Sequence, residues 1–296
     1  MTRAPAARWD RFWFRLCPPQ CIALVRIAVG AWLLLIWTLR APAIALHFSG
    51  AGLSIPALTV RPLWFPAFLW APSIPLTFVF YGFLLFALLC ITVGVAMRTS
   101  IFITLFCTVI FWNTSLWLFW TSYERIFVFL LAVLLLSGAD RTFSLRQRIR
   151  KGRWGCAEPV SIFAQRLIAF QITATYVGVG WQKMVLPAWQ GGEVMSYSFA
   201  NRWGTLASRW ILAWDIPMPW WDALTLGVVY FELLLPILLW IPRCRKWGIL
   251  GGAVFHIAIA VLMQIWWFLF LIPAYLVFFE PESVERWYMR RRTSWS

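Results

Sequence analysis

Charged residues are scarce in this chain, and acidic residues are the scarcest. Only 12% of the 296 residues are charged, with 11 Asp plus Glu against 26 Lys plus Arg, while 62% are hydrophobic. An ordinary soluble domain is about 45–50% apolar, so this balance argues against a soluble enzyme. The 23 Trp, 25 Phe and 7 Tyr also exclude a disordered, collagenous or disulfide-framework chain. The composition predicts an integral membrane protein.

Common cofactor and targeting signals are also missing. The sequence has no glycine-rich nucleotide fingerprint, zinc box or iron ligand set, which argues against a nucleotide or a tightly held metal. Cys17 and Cys21 lie four residues apart without a nearby histidine, so we predict no metal ligands. The first apolar run ends at Arg40 without a small-residue cleavage pattern, so we expect it to remain as the first span rather than act as a signal peptide.

Seventeen of the 26 basic residues fall into four clusters between the apolar runs. These clusters are 3–15, 141–153, 243–246 and 286–292. Nucleic-acid binding requires basic residues on one face or stripe, so we predict no nucleic-acid partner. The positive-inside rule places all four clusters in the cytoplasm.

The apolar runs predict about eight crossings of the bilayer, at roughly 20–25 residues per span with connecting loops. The runs are approximately 20–39, 75–96, 100–119, 124–138, 162–183, 220–241, 247–263 and 265–280. An even number of runs separates each pair of neighbouring basic clusters, which is consistent with cytoplasmic N and C termini. We therefore predict an all-α, multi-pass protein of the cell (inner or plasma) membrane, in which the lipid bilayer is the first partner.

The domain organisation follows from these runs. We predict a basic cytoplasmic segment over 1–19, a single transmembrane domain over 20–280 and a basic cytoplasmic tail over 281–296. The run 124–138 is short for a span, so its true start can include 117–123. The stretch 247–280 is either two short helices or one strongly tilted helix.

Two segments on the outer side are rich in Trp and Pro. The first, 40–73, contains five prolines and two tryptophans. The second, 184–219, contains the Gly191-Gly192 pair and four tryptophans, which are Trp189, Trp203, Trp210 and Trp214. Tryptophan at this density is typical of the headgroup level. We expect both segments to form outer loops that cover the mouth of the helix bundle.

Ionisable residues inside the apolar runs are few, and each is costly unless paired. The three that we single out away from the run ends are Arg26, Glu232 and His256. Counted at about 1.5 Å per residue from opposite faces, Glu232 and His256 reach a similar depth, and we expect them to pair. Such a pair either fixes helix packing, with Arg26 as another partner for Glu232, or exchanges a proton with a bound ligand.

Lys183 ends the fifth run on the outer side, shortly after Gly178 and Gly180. The two glycines permit close approach of another backbone or a flat ligand. A lysine at a helix end usually extends its amine to water. In a partly dry pocket the same amine acts as a general base. Composition alone leaves both interpretations open.

The residues around Lys183 resemble a known family. The run Gln171-Ile-Thr-Ala-Thr-Tyr176-Val-Gly-Val-Gly180-Trp-Gln-Lys183, followed by Trp189-Gln-Gly191, resembles the segment of the vitamin K-dependent gamma-glutamyl carboxylases that carries their catalytic lysine. It also resembles the bacterial HTTM group of carboxylase-like membrane domains. The stretch 120–145 is similar to the family's preceding span and basic loop, and Phe255-His256 is similar to its intramembrane Phe-His. The similarity covers about residues 20–280.

The resemblance implies a chemistry. In the carboxylases a lysine deprotonates a hydroquinone, oxygen converts it to a strong base, that base removes a glutamate γ proton, and carbon dioxide adds. Lys183 matches that lysine, and His256 matches a histidine of the same region. The candidate catalytic residues are therefore Lys183, His256 and Glu232, and the candidate substrate- or cofactor-binding residues are Gln171, Tyr176, Tyr123, Trp189 and Arg26. The implied cofactor is a quinol or hydroquinone.

Two departures limit the resemblance. Tyr123 stands where the family has a histidine, and the chain ends 16 residues after Glu280, whereas the carboxylases continue into a large luminal domain. We therefore do not expect glutamate carboxylation itself. We expect related quinol or acid–base chemistry on a smaller substrate.

Three functions remain open. The first is an enzyme that uses Lys183 as general base on a quinol-like or other lipid-soluble substrate in an outer-facing pocket. The second is an accessory for maturation or secretion of a short peptide, of the sporulation-delaying-toxin type that compact HTTM members resemble. The third is a non-catalytic membrane binding or assembly protein. An apolar pocket beside Lys183 favours the first, a groove open to the outer leaflet the second, and a filled core with Lys183 in water the third.

Overall fold

The computed structural model describes residues 3–53, 66–115, 122–155 and 158–293, and these are mainly helical. In chain order the α-helices are α1 (Arg3–Phe14), α2 (Gln20–Leu39), α3 (Ile44–Phe48), α4 (Ala67–Trp70), α5 (Ile74–Val93), α6 (Met97–Thr114), α7 (Ser122–Leu135), α8 (Leu145–Lys151), α9 (Phe163–Val185), α10 (Glu193–Ala200), α11 (Leu206–Leu212), α12 (Met218–Trp240), α13 (Arg245–Met263), α14 (Leu271–Ala274) and α15 (Pro281–Thr293). Two short strands, β1 (Leu16–Cys17) and β2 (Val160–Ser161), pair antiparallel. The predicted all-α class is confirmed.

Five helices within the described ranges are long and apolar enough to cross a membrane. They are α2, α5, α6, α12 and α13. A sixth crossing is added if Trp266–Phe278 and Pro281–Arg290, which meet at a bend of 96°, are counted as one span. These helices coincide with predicted apolar runs, and they support the membrane class that the composition predicts.

Two further runs form helices that fall outside this set. Helix α7 has 14 residues, and at about 1.5 Å per residue it is shorter than the roughly 30 Å hydrocarbon core. The possible extension over 117–123 lies mostly outside the described residues. Helix α9 has 23 residues and covers the run 162–183, but its polar side chains, such as Gln165 and Arg166, make it less apolar. The count of eight crossings therefore stays a prediction.

The stretch 247–280 is not one long tilted helix. Helix α13 ends at Met263, and Gln264 adopts a left-handed conformation with φ of 55°. The chain then continues as a 3-10 turn over Trp266–Phe270, α14 and a second 3-10 turn over Tyr275–Phe278. Of the two interpretations left open by the sequence, the break at Gln264 supports two separate segments.

Residues Met1–Gln165 and Glu280–Ser296 form a first compact unit. Helices α2, α5 and α6 pack together in it. Where α2 meets α5, a Cβ atom on Gly30 would lie 2.7 Å from Thr92 Oγ1, so glycine allows the two helices to touch. On α6, Thr104 and Thr108 donate their hydroxyls to carbonyls one turn earlier, at 2.9 and 2.7 Å, which satisfies these polar groups within the helix.

Residues Arg166–Phe279 form a second compact unit, in which the Trp-rich segment 184–219, predicted to lie on the outer side, is not an irregular loop. It contains α10 and α11. Met195 and Phe199 lie one turn apart on α10 and pack against Trp221 at the start of α12, with the Phe199 and Trp221 ring centroids 5.2 Å apart. The expectation of loop structure was wrong because this short apolar face is stabilised by tertiary contacts.

The other segment rich in Trp and Pro, 40–73, is described only in part. It contains α3 and α4, and two of its prolines and one tryptophan, Pro56, Pro62 and Trp64, lie outside the described residues. Whether the two segments cover the mouth of a bundle remains a prediction.

Candidate functional site

Helix α9 packs antiparallel to α12, and three contacts define their register. Near one end, Trp240 Nε1 donates to Thr173 Oγ1 at 2.8 Å. In the middle, a Cβ atom on Gly180 would lie 2.7 Å from Leu233 Cδ2, so a larger residue would force the Leu233 side chain to move. At the other end, Lys183 meets Glu232. The sequence positions rise along α9 as they fall along α12, and this register places the lysine opposite the carboxylate.

The close approach predicted at the two glycines of α9 occurs at one of them. Gly180 lies against Leu233, but a Cβ atom on Gly178 would meet nothing within 4 Å. Gly180 lies between Tyr176 and Lys183, on the same face of α9 by the i, i+4, i+7 spacing. The side chains on either side of Gly180 are therefore brought close to α12.

Lys183 and Glu232 form a bidentate ion pair. Lys183 Nζ lies 2.8 Å from Glu232 Oε1 and 2.7 Å from Oε2. The two side chains are 16% and 7% exposed, so the pair is largely withdrawn from solvent. Of the two interpretations that the sequence leaves open, the one in which the Lys183 amine extends to water is therefore wrong, because a carboxylate within reach of a partly buried ammonium is the better partner.

The indole of Trp189 covers the Lys183 amine. Nζ lies 4.3 Å from the ring centroid, which is a cation–π distance. Trp189 ends a 3-10 turn that starts at Pro187, and its ring also packs against the apolar cluster of α10 and Trp221. The aromatic cover of the amine is therefore anchored in the packed part of the segment 184–219.

Gly192 ties this segment to the start of α12. Its N–H donates to Asp222 Oδ1 at 2.5 Å. A Cβ atom at this position would lie 2.4 Å from Trp221 Cβ and 2.6 Å from Asp222 N, so a side chain would push the segment away. Of the glycine pair noted in the sequence, Gly192 is sterically required, whereas Gly191 has room for a Cβ atom.

A second polar cluster lies deeper in the same unit. Tyr176 Oη is 2.5 Å from His256 Nε2 and 2.5 Å from Tyr275 Oη. All three residues are buried. Gly252 makes room for the Tyr275 ring, since a Cβ atom there would lie 2.7 Å from Tyr275 Oη. His256 Nδ1 has no hydrogen-bond partner among the described residues.

The expected pair of Glu232 and His256 does not form, so this prediction was wrong. Glu232 contacts Lys183, and His256 contacts Tyr176. Counting residues gives depth along a helix axis but says nothing about rotation around it. Two polar residues of α9, nearly two turns apart, instead provide separate partners for the carboxylate and the imidazole.

Arg26 is not a partner of Glu232 either. It is fully buried in the first unit, where its guanidinium donates to four backbone carbonyls. These are Ile91 at 2.6 Å, Thr92 at 2.7 Å, Phe143 at 2.6 Å and Ala139 at 3.3 Å. Ile91 and Thr92 lie in the last turn of α5, where carbonyls lack the N–H groups of a following turn, although the Ile91 carbonyl also accepts from the Gly94 N–H at 3.2 Å. Arg26 therefore caps α5 and ties it to the segment that follows α7.

The remaining predicted residues have local partners. Tyr123, in the first unit, receives a hydrogen bond at 2.6 Å from Arg40, which also pairs with Glu124 at 3.0 Å. Gln171 donates to Thr175 Oγ1 one turn later at 3.2 Å. Neither contact involves the Lys183 pair or the His256 cluster.

Tyr275 is a member of the deeper cluster that the sequence reading did not single out. Its only signal is a hydroxyl within an otherwise apolar run. A tyrosine carries an apolar ring and is common in such runs, so composition does not distinguish it from a packing residue.

The comparisons with known proteins agree with the resemblance seen in the sequence. Residues 14–283 match the family model described as the HTTM domain. No curated protein and no solved structure matches the chain. The match covers most of the 296 residues, so the chain belongs to the HTTM family, a membrane family of the vitamin K-dependent carboxylase-like type.

Proposed function

We propose that this HTTM protein is a membrane enzyme in which Lys183 and Glu232 together move a proton to or from a lipid-soluble, quinol-like substrate. The observation that carries the proposal is the ion pair itself, with Nζ within 2.8 Å of both carboxylate oxygens and both side chains mostly buried. A structural lysine needs only a hydrogen-bond acceptor. A carboxylate partner can also receive the proton.

The pair has two protonation arrangements of the same total charge. In one, Lys183 is an ammonium and Glu232 a carboxylate. Transfer of one proton across the contact gives a neutral amine and a neutral carboxylic acid, which avoids part of the cost of holding charges away from water. The amine of Lys183 then has a free lone pair and can accept a hydroxyl proton from the substrate, becoming an ammonium again.

The surroundings of the amine are consistent with a flat aromatic substrate. The Trp189 face lies next to Nζ and offers a stacking surface. The cluster of Tyr176, His256 and Tyr275 supplies further groups that donate or accept hydrogen bonds, and we propose His256 as a second participant. Tyr176 lies seven residues before Lys183, roughly 10 Å along the same face of α9. A bound quinol would be the group that is oxidised, and the chain would supply the group that accepts its proton.

A pocket beside Lys183 remains part of the proposal. The structure has one cavity whose wall includes Leu33 and another whose wall includes Val95. Neither wall includes Lys183. The proposal therefore depends on the chemistry and burial of the pair. An opened outer segment is one route by which substrate would reach it.

The test is hydroquinone turnover by the full chain in lipid nanodiscs. Oxygen uptake and quinone absorbance are followed with benzo- and naphthohydroquinones for the wild type, Lys183→Met and Lys246→Met. The chain contains three lysines, so Lys246 is a matched control. We expect Lys183→Met to lower the rate by about a hundredfold or more, the range of general-base catalysis, and Lys246→Met to retain it. Equal rates in all three proteins, or none above the uncatalysed rate, would reject quinol catalysis.

The same variant distinguishes catalysis from the other two functions. A peptide accessory or an assembly protein would need Lys183 only as a folded, paired side chain. If Lys183→Met kept its folded structure and still supported maturation of a short peptide, the catalytic role would be excluded.

We also propose the orientation that the basic clusters predict, with eight crossings and both termini in the cytoplasm of the cell membrane. Gln190 and Arg153 are exposed, whereas Gln147 in the same basic cluster is buried. A single cysteine at position 190, in a chain whose natural cysteines are replaced, should react with an impermeant maleimide from outside. One at position 153 should react only after the membrane is opened. The reverse pattern would invert the orientation.

A further inference from the structure

The first unit contains a cavity of about 960 Å³ at the ends of α6 and α7. Its wall includes the turn between α5 and α6 and the basic segment that follows α7. This cavity is unrelated to the Lys183 pair. The ligand of this cavity is therefore a separate question from the substrate of Lys183.

The cavity wall has a net positive charge. It includes five cationic residues and two carboxylates, Asp140 and Glu158. Asp140 pairs with Arg146, and Glu158 pairs with Lys151. The Lys151 ammonium lowers the pKa of Glu158 below its usual range, so this carboxylate stays ionised at neutral pH. Both negative charges are thus matched within the wall.

Three cationic residues remain after this pairing. Arg141 donates to the carbonyl of Pro159 at 2.8 Å, which is a neutral partner. Arg98 and Arg150 are exposed and have no hydrogen-bond partner in the described part of the chain. The excess charge of the wall therefore lies on guanidinium groups, which favour phosphate and carboxylate ligands.

Two uncharged features independently indicate an anion. Gln147 lines the cavity and is 6% exposed, yet its Nε2 atom, a donor, has no hydrogen-bond partner among the described residues. The 18-residue helix α6 also begins at this wall, and Ala96 before it provides no side-chain cap. The first N–H groups of a helix carry a partial positive charge and bind anions. A buried donor and an uncapped helix start thus face the same space.

The level of the cavity in the membrane narrows the class of ligand. Helices α5 and α6 are both candidate spans, and the turn between them, 94–96, lies where the apolar helices end. Ile149 also lines the cavity and is 73% exposed. A site with guanidinium groups and an exposed apolar side chain at this level suits an amphiphile with a phosphate head.

We propose that this cavity binds a phosphate group, carried by the head of an anionic phospholipid at the membrane surface. Arg98, Arg150, Gln147 and the start of α6 contact the phosphate. A free phosphate ion has the same head chemistry but lacks the acyl chains.

The test compares ligands and variants on the full chain purified in detergent. Dihexanoyl phosphatidylglycerol, dihexanoyl phosphatidylcholine and inorganic phosphate are titrated by calorimetry against the wild type and three variants. The variants are Arg98→Gln/Arg150→Gln, Gln147→Leu and the control Arg153→Gln. Arg153 belongs to the same basic cluster and is exposed, but it does not line the cavity. Thermal unfolding confirms that each variant is folded.

We expect the phosphatidylglycerol to bind more tightly than the phosphatidylcholine. The double variant should weaken it by about tenfold or more, since each basic residue near a surface contributes on the order of a factor of five. Gln147→Leu should weaken it several-fold, and Arg153→Gln should leave it unchanged. If inorganic phosphate alone binds with the same dependence on the variants, the anion site stands and its ligand is free phosphate. Unchanged affinity in both cavity variants, or an equal loss in Arg153→Gln, would overturn the proposal.

Discussion

Two buried cationic side chains, one in each compact unit, are satisfied in different ways. Arg26 in the first unit donates to four backbone carbonyls, at 2.6 to 3.3 Å. Lys183 in the second unit contacts both oxygens of Glu232. The carbonyls around Arg26 are neutral and cannot take its proton. The carboxylate beside Lys183 can, and this difference in partners is the reason why the proposed function gives the proton transfer to Lys183.

Under the proposed function, Arg26 stabilises the fold and Lys183 takes part in the chemistry. Arg26 holds the end of α5, the turn after it and the segment after α7 in one arrangement. Gly94 shows how tight this arrangement is, because a Cβ atom there would lie 2.9 Å from Arg26 Nη1 and 2.4 Å from Ser144 Cβ. Lys183 has one ionised partner and an aromatic cover. Variants at Arg26, at Tyr176 and at the Lys183–Glu232 pair are ranked below by the loss of stability that we expect in thermal unfolding.

The largest loss of stability is expected for Arg26→Met. Four carbonyls lose a guanidinium donor in a dry environment, and only that of Ile91 keeps a recorded second donor, the Gly94 N–H, so we expect the free energy of unfolding to fall by about 3 kcal/mol or more. Arg26→Lys should recover only part of this loss, because an ammonium cannot reproduce the planar fork of donors. Thermal unfolding in detergent measures both, with Arg153→Gln as an exposed control. Wild-type stability in Arg26→Met would contradict the capping role.

An intermediate loss is expected for Tyr176→Phe. Removing the hydroxyl leaves His256 Nε2 and Tyr275 Oη without their shared partner, which should cost about 1–3 kcal/mol. The chain has two histidines, so ¹⁵N-histidine NMR resolves His256 from His47. The His256 signal should shift in Tyr176→Phe and stay in place in Glu232→Gln, because the carboxylate does not contact the imidazole. A shift of similar size in both variants would contradict the separation of the two clusters.

The smallest change is expected for the double variant Lys183→Met/Glu232→Leu. Replacing both members of a buried ion pair by apolar residues is often neutral or stabilising, whereas removing one member leaves a buried charge. We therefore expect the melting temperature of the double variant to lie within a few degrees of the wild type. A loss as large as that of Arg26→Met would show that the pair serves folding instead.

Long apolar helices are the part of the fold that sequence reading predicts well. The run 20–39 coincides with α2, and the run 75–96 ends within three residues of Val93, where Gly94 adopts a left-handed φ of 74°. Hydropathy alone predicts such helices, because each is a long apolar run that does not depend on one particular tertiary contact. The short helices α10 and α11 were missed because their stability comes from contacts such as that of Phe199 with Trp221, which no local pattern reveals.

The sequence predicted individual residues of the candidate site but not which of them contact one another. Lys183 was found through its motif and Glu232 through its position in an apolar run, yet their contact was not foreseen. It depends on the register between α9 and α12, which Gly180 and Trp240 establish through contacts between distant parts of the chain. Depth along a helix is readable from sequence, whereas rotation about its axis depends on packing.

The most direct measurement of the central claim is chemical rescue of hydroquinone turnover in Lys183→Ala. Truncation to alanine leaves space for a small primary amine beside Glu232. If Lys183 supplies the basic nitrogen, turnover should be lost in the variant and return on addition of ethylamine or aminoethanol, with the more basic amine giving the faster rate. Full turnover without any added amine, or a loss that no amine relieves, would contradict a catalytic role for the Lys183 nitrogen.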